Sequence, residues 1–333
     1  MGVVDAAVRM AVLARSLVRG PVAVRWNVTR RCDRGCSYCC ARSKPDDEPE
    51  LTATEALSLV EALGRAGLQR LSFSGGEPFL REDLGALTQR ARQFGIHVSA
   101  NTSGGALAMH PDRAVGLDEI KVSLDGPQEI NDRLRGRASF DAAILGIEAA
   151  RRQAIPVRLT TTLTKFNCSV EIVEHLLELA RGLDAQVVFQ AFHAHEGRAG
   201  EDLAPPREAR DRVADHLFRH MVRRHPALGN MPFDLGMIRG RQGLPLECMG
   251  GRLFFVVEAD GTIRPCDRVL VPTRARWTGG LFPIEDVPRV PRALCSGCGF
   301  HGSLVLNVAG NGLRGVAFAI EAAGYELKRA LIP

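Results

Sequence analysis

Residues 22–40 read VAVRWNVTRRCDRGCSYCC. The alternating, β-branched run over 22–28 predicts a strand, and it empties into a loop carrying Cys32, Cys36, Cys39 and Cys40. Four thiolates can close a metal site completely, whereas three leave one coordination position free. Thiol chemistry alone does not choose between Cys39 and Cys40, because neighbouring side chains diverge and either can reach.

Further strands are predicted at 70–74, 96–101, 119–125, 156–164 and 185–192. Helical patterns lie between them at 52–67, 81–95, roughly 131–154 and 170–183, the first opened by the capping-box pair Thr52 and Glu55. Strands alternating with helices imply right-handed βαβ units and a parallel sheet. Six such strands, where a closed barrel has eight, predict an α/β fold of the partial (β/α)6, TIM-like kind. The expected divisions are an N-terminal amphipathic helix (1–21), the barrel core (22–205), a connecting helical segment (206–240), a small cysteine-bearing module (241–310) and a C-terminal helix (311–333). Within the module, GGRLFFVVEADGTIRPCD reads as a β-hairpin turning at Asp260-Gly261.

Composition narrows the classes. The net charge is +5, but only four basic residues are lysine, there is no long basic run, and aromatics are 5%; a nucleic-acid surface has little support. No run of 18 apolar residues predicts a membrane span. The N-terminal segment lacks a signal-peptide pattern and reads as a helix packed on its own domain, with membrane-surface contact as the minority reading. Nine cysteines without an export signal argue against a disulfide framework and for metal or redox chemistry in a cytoplasmic setting.

The unusual motifs all fall at strand C-termini, the rim where parallel barrels assemble active sites. CDRGCSYCC follows the first strand, SGGEP (74–78) ends the second, NTSGG (101–105) follows the third and SLDG (123–126) ends the fourth. The spacing Cys32-x3-Cys36-x2-Cys39, with Tyr38 before the third cysteine, resembles the signature of the radical S-adenosylmethionine (radical SAM) superfamily. Gly75-Gly76-Glu77-Pro78 is similar to its GGEP motif. Ser123-Leu-Asp125-Gly-Pro with Asn131-Asp132-x-x-Arg135 resembles its SAM-contacting segment, although Asn-Asp stands where the family has His-Asp. The likeness spans roughly residues 22–192.

The resemblance implies a [4Fe–4S] cluster on Cys32, Cys36 and Cys39, with Cys40 a bystander and SAM on the iron that lacks a protein ligand. It implies SAM contacts from Tyr38, Gly75, Gly76, Glu77, Pro78, Asn101, Ser123, Asp125 and Arg135. It also implies a flavodoxin- or ferredoxin-type reductant, and a 5′-deoxyadenosyl radical that takes hydrogen from substrate. A zinc site at the first cluster is the alternative, and it leaves the other motifs unexplained.

Cys248, Cys266, Cys295 and Cys298 form a second set of four. Their pattern, with Gly261 between the first two, resembles the twitch module, a shortened SPASM domain, and implies an auxiliary [4Fe–4S] cluster; a structural zinc is the alternative. In the resembling enzymes this module packs over the barrel mouth. Near the rim, Cys168 is a candidate hydrogen-atom donor, against the commoner role of a buried small hydrophobe. Gln190, His193 and His195 are candidate catalytic residues that bind substrate or accept a proton, with Thr164 and Asn167 of similar standing; loop histidines are as often simply solvated. Glu196-Gly-Arg198-Ala199 resembles a stretch of SPASM and twitch relatives.

The expected activity is oxidation, epimerisation or rearrangement of a non-peptide small molecule. Only about twenty residues precede the first strand, fewer than a leader-binding domain needs. Maturation of a peptide or protein is the first alternative. Lipid modification and a non-catalytic iron–sulfur or zinc protein are the others.

Overall fold

The computed structural model describes residues 21–39, 49–192, 201–240, 247–266 and 271–291. The N-terminal and C-terminal helices, Cys40, His193, His195, the 196–199 stretch, Cys295 and Cys298 lie outside the described residues.

The six expected strands form: β1 (Ala23–Thr29), β2 (Arg70–Gly75), β3 (His97–Thr102), β4 (Glu119–Ser123), β5 (Val157–Leu163) and β6 (Gln186–Ala191). Each pairs in parallel with the next, and helices cross between them: α1 (Ala53–Arg65), α2 (Leu84–Gln93), α3 (Gly105–Met109), α4 (Gln128–Arg135), α5 (Ser139–Arg152) and α6 (Val170–Gly182). α7 (Arg207–Val222) and α8 (Pro232–Ile238) follow β6. The result is a partial TIM-like barrel. Alternate strand residues, among them Val24, Trp26, Phe73, Val98, Ile120, Val122 and Leu159, are buried in one apolar cluster with the helices. The intervening positions, such as Arg25, Asn27, Ser72, Asn101, Lys121, Ser123, Thr160, Thr162 and Gln190, take the opposite, inner face.

Three features differ from the sequence expectation. The fourth crossover is two helices, because Gly136 (φ 99°) and Ala138 (φ 58°) leave the helical region. Asp132 then accepts from the Ala138 and Phe140 amides at 2.9 Å each and starts α5. β4 ends two residues early, since the Asp125 carboxylate, rather than a backbone carbonyl, accepts from the Thr162 amide at 2.9 Å.

The third difference is the hairpin. β7 (Phe254–Val257) and β8 (Ile263–Arg264) turn at Asp260-Gly261, with the Gly261 amide donating to Glu258 O at 3.0 Å. The hairpin does not stand apart, for β7 pairs in parallel with β1 and the sheet runs β6-β5-β4-β3-β2-β1-β7-β8. β7 reads FFVV with every residue buried, so it needs cover on both faces, and the open β1 edge supplies a place for it.

Candidate active site

The loop after β1 is held by its neighbours' backbones. The Gly76 amide donates to Thr29 O and the Glu77 amide to Arg31 O, both at 2.8 Å. A Cβ on Gly76 would meet Arg31 O at 2.1 Å, and one on Gly75 (φ +111°) would meet Thr29 O at 2.5 Å. The two glycines therefore let the cysteine loop lie directly on the end of β2. Glu77 is buried and locked: Thr102 Oγ1 donates to it at 2.8 Å, and the Ser103 amide and hydroxyl at 2.8 and 2.9 Å. Burial pushes its carboxyl up, while the Ser103 and Thr102 bonds oppose the shift. Pro78 opens the 3-10 turn that follows and is buried.

Cys32, Cys36 and Cys39 are free thiols, Cys32 exposed and the other two half-buried. The Cys39 amide donates to Cys36 O at 3.2 Å, and the Ser37 amide to Leu134 O at 2.9 Å, which ties the turn to α4. Burial raises the Cys36 thiol, and the Arg135 guanidinium beside it opposes the rise. Three unpaired thiols on one loop, beside an arginine and a glycine-lined edge, fit an iron–sulfur cluster with a polar cosubstrate alongside.

Asp125 is the hub of the rim. It is fully buried, and Oδ2 accepts from the Tyr38 hydroxyl and from Arg135 Nε at 2.6 Å. Burial holds the Tyr38 phenol well above its ordinary range, so it keeps the proton it donates. The Asp125 amide donates to Asn131 Oδ1 at 2.9 Å, and its carbonyl accepts from Asn167 Nδ2 at 2.7 Å. The Asn131 that departs from the family pattern thus props the Asp125 turn from below. Asp125 is placed to orient Tyr38 and Arg135, its own oxygens being taken up within the protein. Sequence reasoning named Asp125, Tyr38 and Arg135 as SAM contacts but not their bonding to one another, and it missed the buried Arg81, which donates to Val28 O at 2.8 Å and Leu51 O at 2.9 Å.

Below the rim the inner face is polar. Asn101 Nδ2 donates to Ser72 Oγ at 3.1 Å, Ser99 Oγ to Ser72 Oγ at 3.2 Å, and Lys121 Nζ to Ser99 Oγ at 3.2 Å. Asn101 pairs in register with Lys121, and Ser123 is the next inner position along β4. Glu119 faces Lys121 at 3.6 Å and Arg158 at 2.9 Å. Burial lowers Lys121 to about 8; Glu119 opposes that shift, and Arg158, Arg70 and Arg25 add to it. Gln190 is half-buried on the same face, opposite Thr162. Cys168 lies instead in the apolar cluster, where burial raises its thiol to about 11 against the opposing charges of Arg210 and Arg212 on α7.

Cys248 and Cys266, the described half of the second cysteine set, sit at the other end of the sheet. Ala23 pairs with Phe254, so Cys248 precedes β7 at the N-terminal end of β1, and Cys266 closely follows the antiparallel β8. The Gly250 amide donates to Cys248 Sγ at 3.4 Å, and Gly250 abuts the carbonyl of Pro265, which precedes Cys266. Cys32 follows the opposite end of β1, a strand length of about 20 Å away. The hairpin turn, not its cysteine pair, reaches the mouth: the Leu51 amide donates to Ala259 O at 2.8 Å.

Residues 26–180 match the family model described as the Radical SAM superfamily. The chain belongs to that superfamily. It is an enzyme, and the family uses a [4Fe–4S] cluster together with SAM. It is 36% identical over 319 residues to the Pre-heme d1 synthase of Dinoroseobacter shibae, covering 84% of this chain and 78% of that protein. It is 30% identical over 265 residues to the PqqA peptide cyclase of Ruegeria pomeroyi, covering 75% and 68%. Its fold is similar to that of Streptococcus suis SuiB bound to S-adenosylmethionine, with TM-score 0.63 at 14% identity over 90% of this chain and 72% of that one. Among the described residues no helix is long and apolar enough to cross a membrane.

Proposed function

We propose that the chain removes a hydrogen atom from a non-peptide, carboxylate-bearing metabolite held inside the partial barrel. Cys32, Cys36 and Cys39 would hold the cluster, and the rim formed by Gly75, Gly76, Asn101, Ser123 and Arg135 would hold SAM. When bound and reduced by one electron, this pair supplies a 5′-deoxyadenosyl radical. Asp125 fixes Tyr38 and Arg135, and Glu77 fixes the β2–β3 corner, so the rim is preorganised.

The observation that carries the reading is the basic floor. Lys121 lies within electrostatic reach of Arg158, Arg70 and Arg25, and Glu119 bridges Lys121 and Arg158. Cations gathered on a half-buried polar face favour an anionic ligand. The name of the Pre-heme d1 synthase relative supports a small-molecule substrate. Cys248 and Cys266, with Cys295 and Cys298, would hold an auxiliary [4Fe–4S] cluster at the floor, where it could accept an electron from a substrate radical. The PqqA peptide cyclase relative supports the second reading, a peptide substrate.

Reconstituted, reduced protein should form 5′-deoxyadenosine, and carboxylated tetrapyrroles should stimulate this more than peptides do. Cys39→Ala should abolish the product and Cys40→Ala should not. No 5′-deoxyadenosine under any of these conditions would sink the radical reading; stimulation by peptides alone would replace the substrate class.

A further inference from the structure

On the outside of the barrel, away from the rim, Glu174 on α6 meets His216 and His220 on α7. Glu174 Oε1 lies 2.6 Å from His216 Nε2 and 2.8 Å from His220 Nε2, and the two nitrogens lie 3.1 Å apart. The histidines are four residues apart, which sets both imidazoles on one helix face. Their side chains are 13% and 14% exposed, while that of Glu174 is 39% exposed. His225 packs edge-on against His220, ring centroids 5.0 Å apart, and fixes its orientation.

Hydrogen bonding alone serves this triangle poorly. If both Nε2 atoms carry protons, two N–H groups crowd together at 3.1 Å while sharing one oxygen. If one does not, its lone pair faces the carboxylate within 2.8 Å. A cation at the common focus satisfies all three atoms. With metal–ligand distances of about 2.05 Å, these separations subtend angles of roughly 79°, 86° and 98°. That is a facial cap, with the remaining positions open toward the solvent beside Glu174. Among the described residues this is the set of three such side chains whose ligand atoms fall within 4.8 Å of one another.

We propose that Glu174, His216 and His220 bind one divalent transition-metal ion, two imidazoles and a carboxylate being a donor set that both Zn²⁺ and Fe²⁺ accept, and Zn²⁺ is the probe for it. The ion clamps α7 onto α6, the helix that leads into the last barrel strand. Arg219, exposed on α7, opposes it in one respect: its guanidinium lies 3.2 Å from His216 Nδ1. Metal on Nε2 requires a proton on Nδ1, so Arg219 must turn out to solvent.

The test uses cluster-loaded protein under anaerobic conditions, titrated with Zn²⁺ against a chromophoric chelator, with zinc and iron counted together. Wild type should hold about one zinc equivalent more than His220→Asn, whose affinity at this site falls about 100-fold or more. Iron content should not change. Arg219→Glu should tighten Zn²⁺ binding about tenfold, because a carboxylate there can accept the Nδ1 proton. Equal zinc in wild type and His220→Asn overturns the proposal. So does an Arg219→Glu variant of normal iron content that binds zinc no more tightly than wild type.

Discussion

Replacing Asp125 by asparagine tests whether the rim is built around one buried charge. Asp125 is fully buried, and the Arg135 side chain paired with it is 11% exposed. Asparagine keeps the shape but leaves the guanidinium without its counter-charge, and it turns one acceptor into a donor facing Tyr38 or the Thr162 amide. Breaking a buried pair from one side costs about 3–5 kcal/mol. At about 2 °C per kcal/mol for a chain of this size, the apparent Tm should fall by about 6–10 °C. Arg135→Met alone should cost a similar amount, by stranding the carboxylate. The double variant should cost far less than the sum, with a coupling of at least about 2 kcal/mol. The urea midpoint of anaerobic, cluster-loaded protein, followed by far-UV circular dichroism with iron content in parallel, gives each corner of the cycle. Single costs below about 1 kcal/mol, or costs additive within about 0.5 kcal/mol, would refute the hub.

Lys121 titrates at about 8 rather than at its ordinary value of 10.5. If its ammonium binds a substrate carboxylate, kcat/KM should fall as pH rises through about 8, and Lys121→Arg should flatten that limb. Because the folded pKa is the lower one, this group's contribution to stability should move the other way, improving between pH 8 and 10.5. Gly76→Ala places a methyl 2.1 Å from Arg31 O. The cysteine loop must retreat, so iron at the first cluster should drop, with a stability loss of about 1–3 kcal/mol in thermal melts. Cys248→Ala should remove about four irons per chain while leaving basal 5′-deoxyadenosine formation in place; loss of zinc instead would assign that site to zinc.

The cysteine spacing, the GGEP and SLDG segments and the alternation of strand and helix are local facts, and the sequence alone determined them. They were enough to predict a partial barrel with its rim motifs on one side, because strand direction orders everything attached to it. Tertiary structure decided what depends on distant partners. Asp125 became a hub only when Tyr38, Arg135, Asn131, Thr162 and Asn167 converged on it from four separate segments. The basic floor needed the sheet's register to bring Lys121, Arg158 and Glu119 together on one face. β7 shows the limit most clearly: FFVV reads as a buried strand wherever it falls, and the free backbone edge of β1 determined where it went. That single pairing put Cys248 and Cys266 at the floor rather than over the mouth. Hydrogen-bonding groups on an open edge must find partners, and a sequence does not say which edge will remain open.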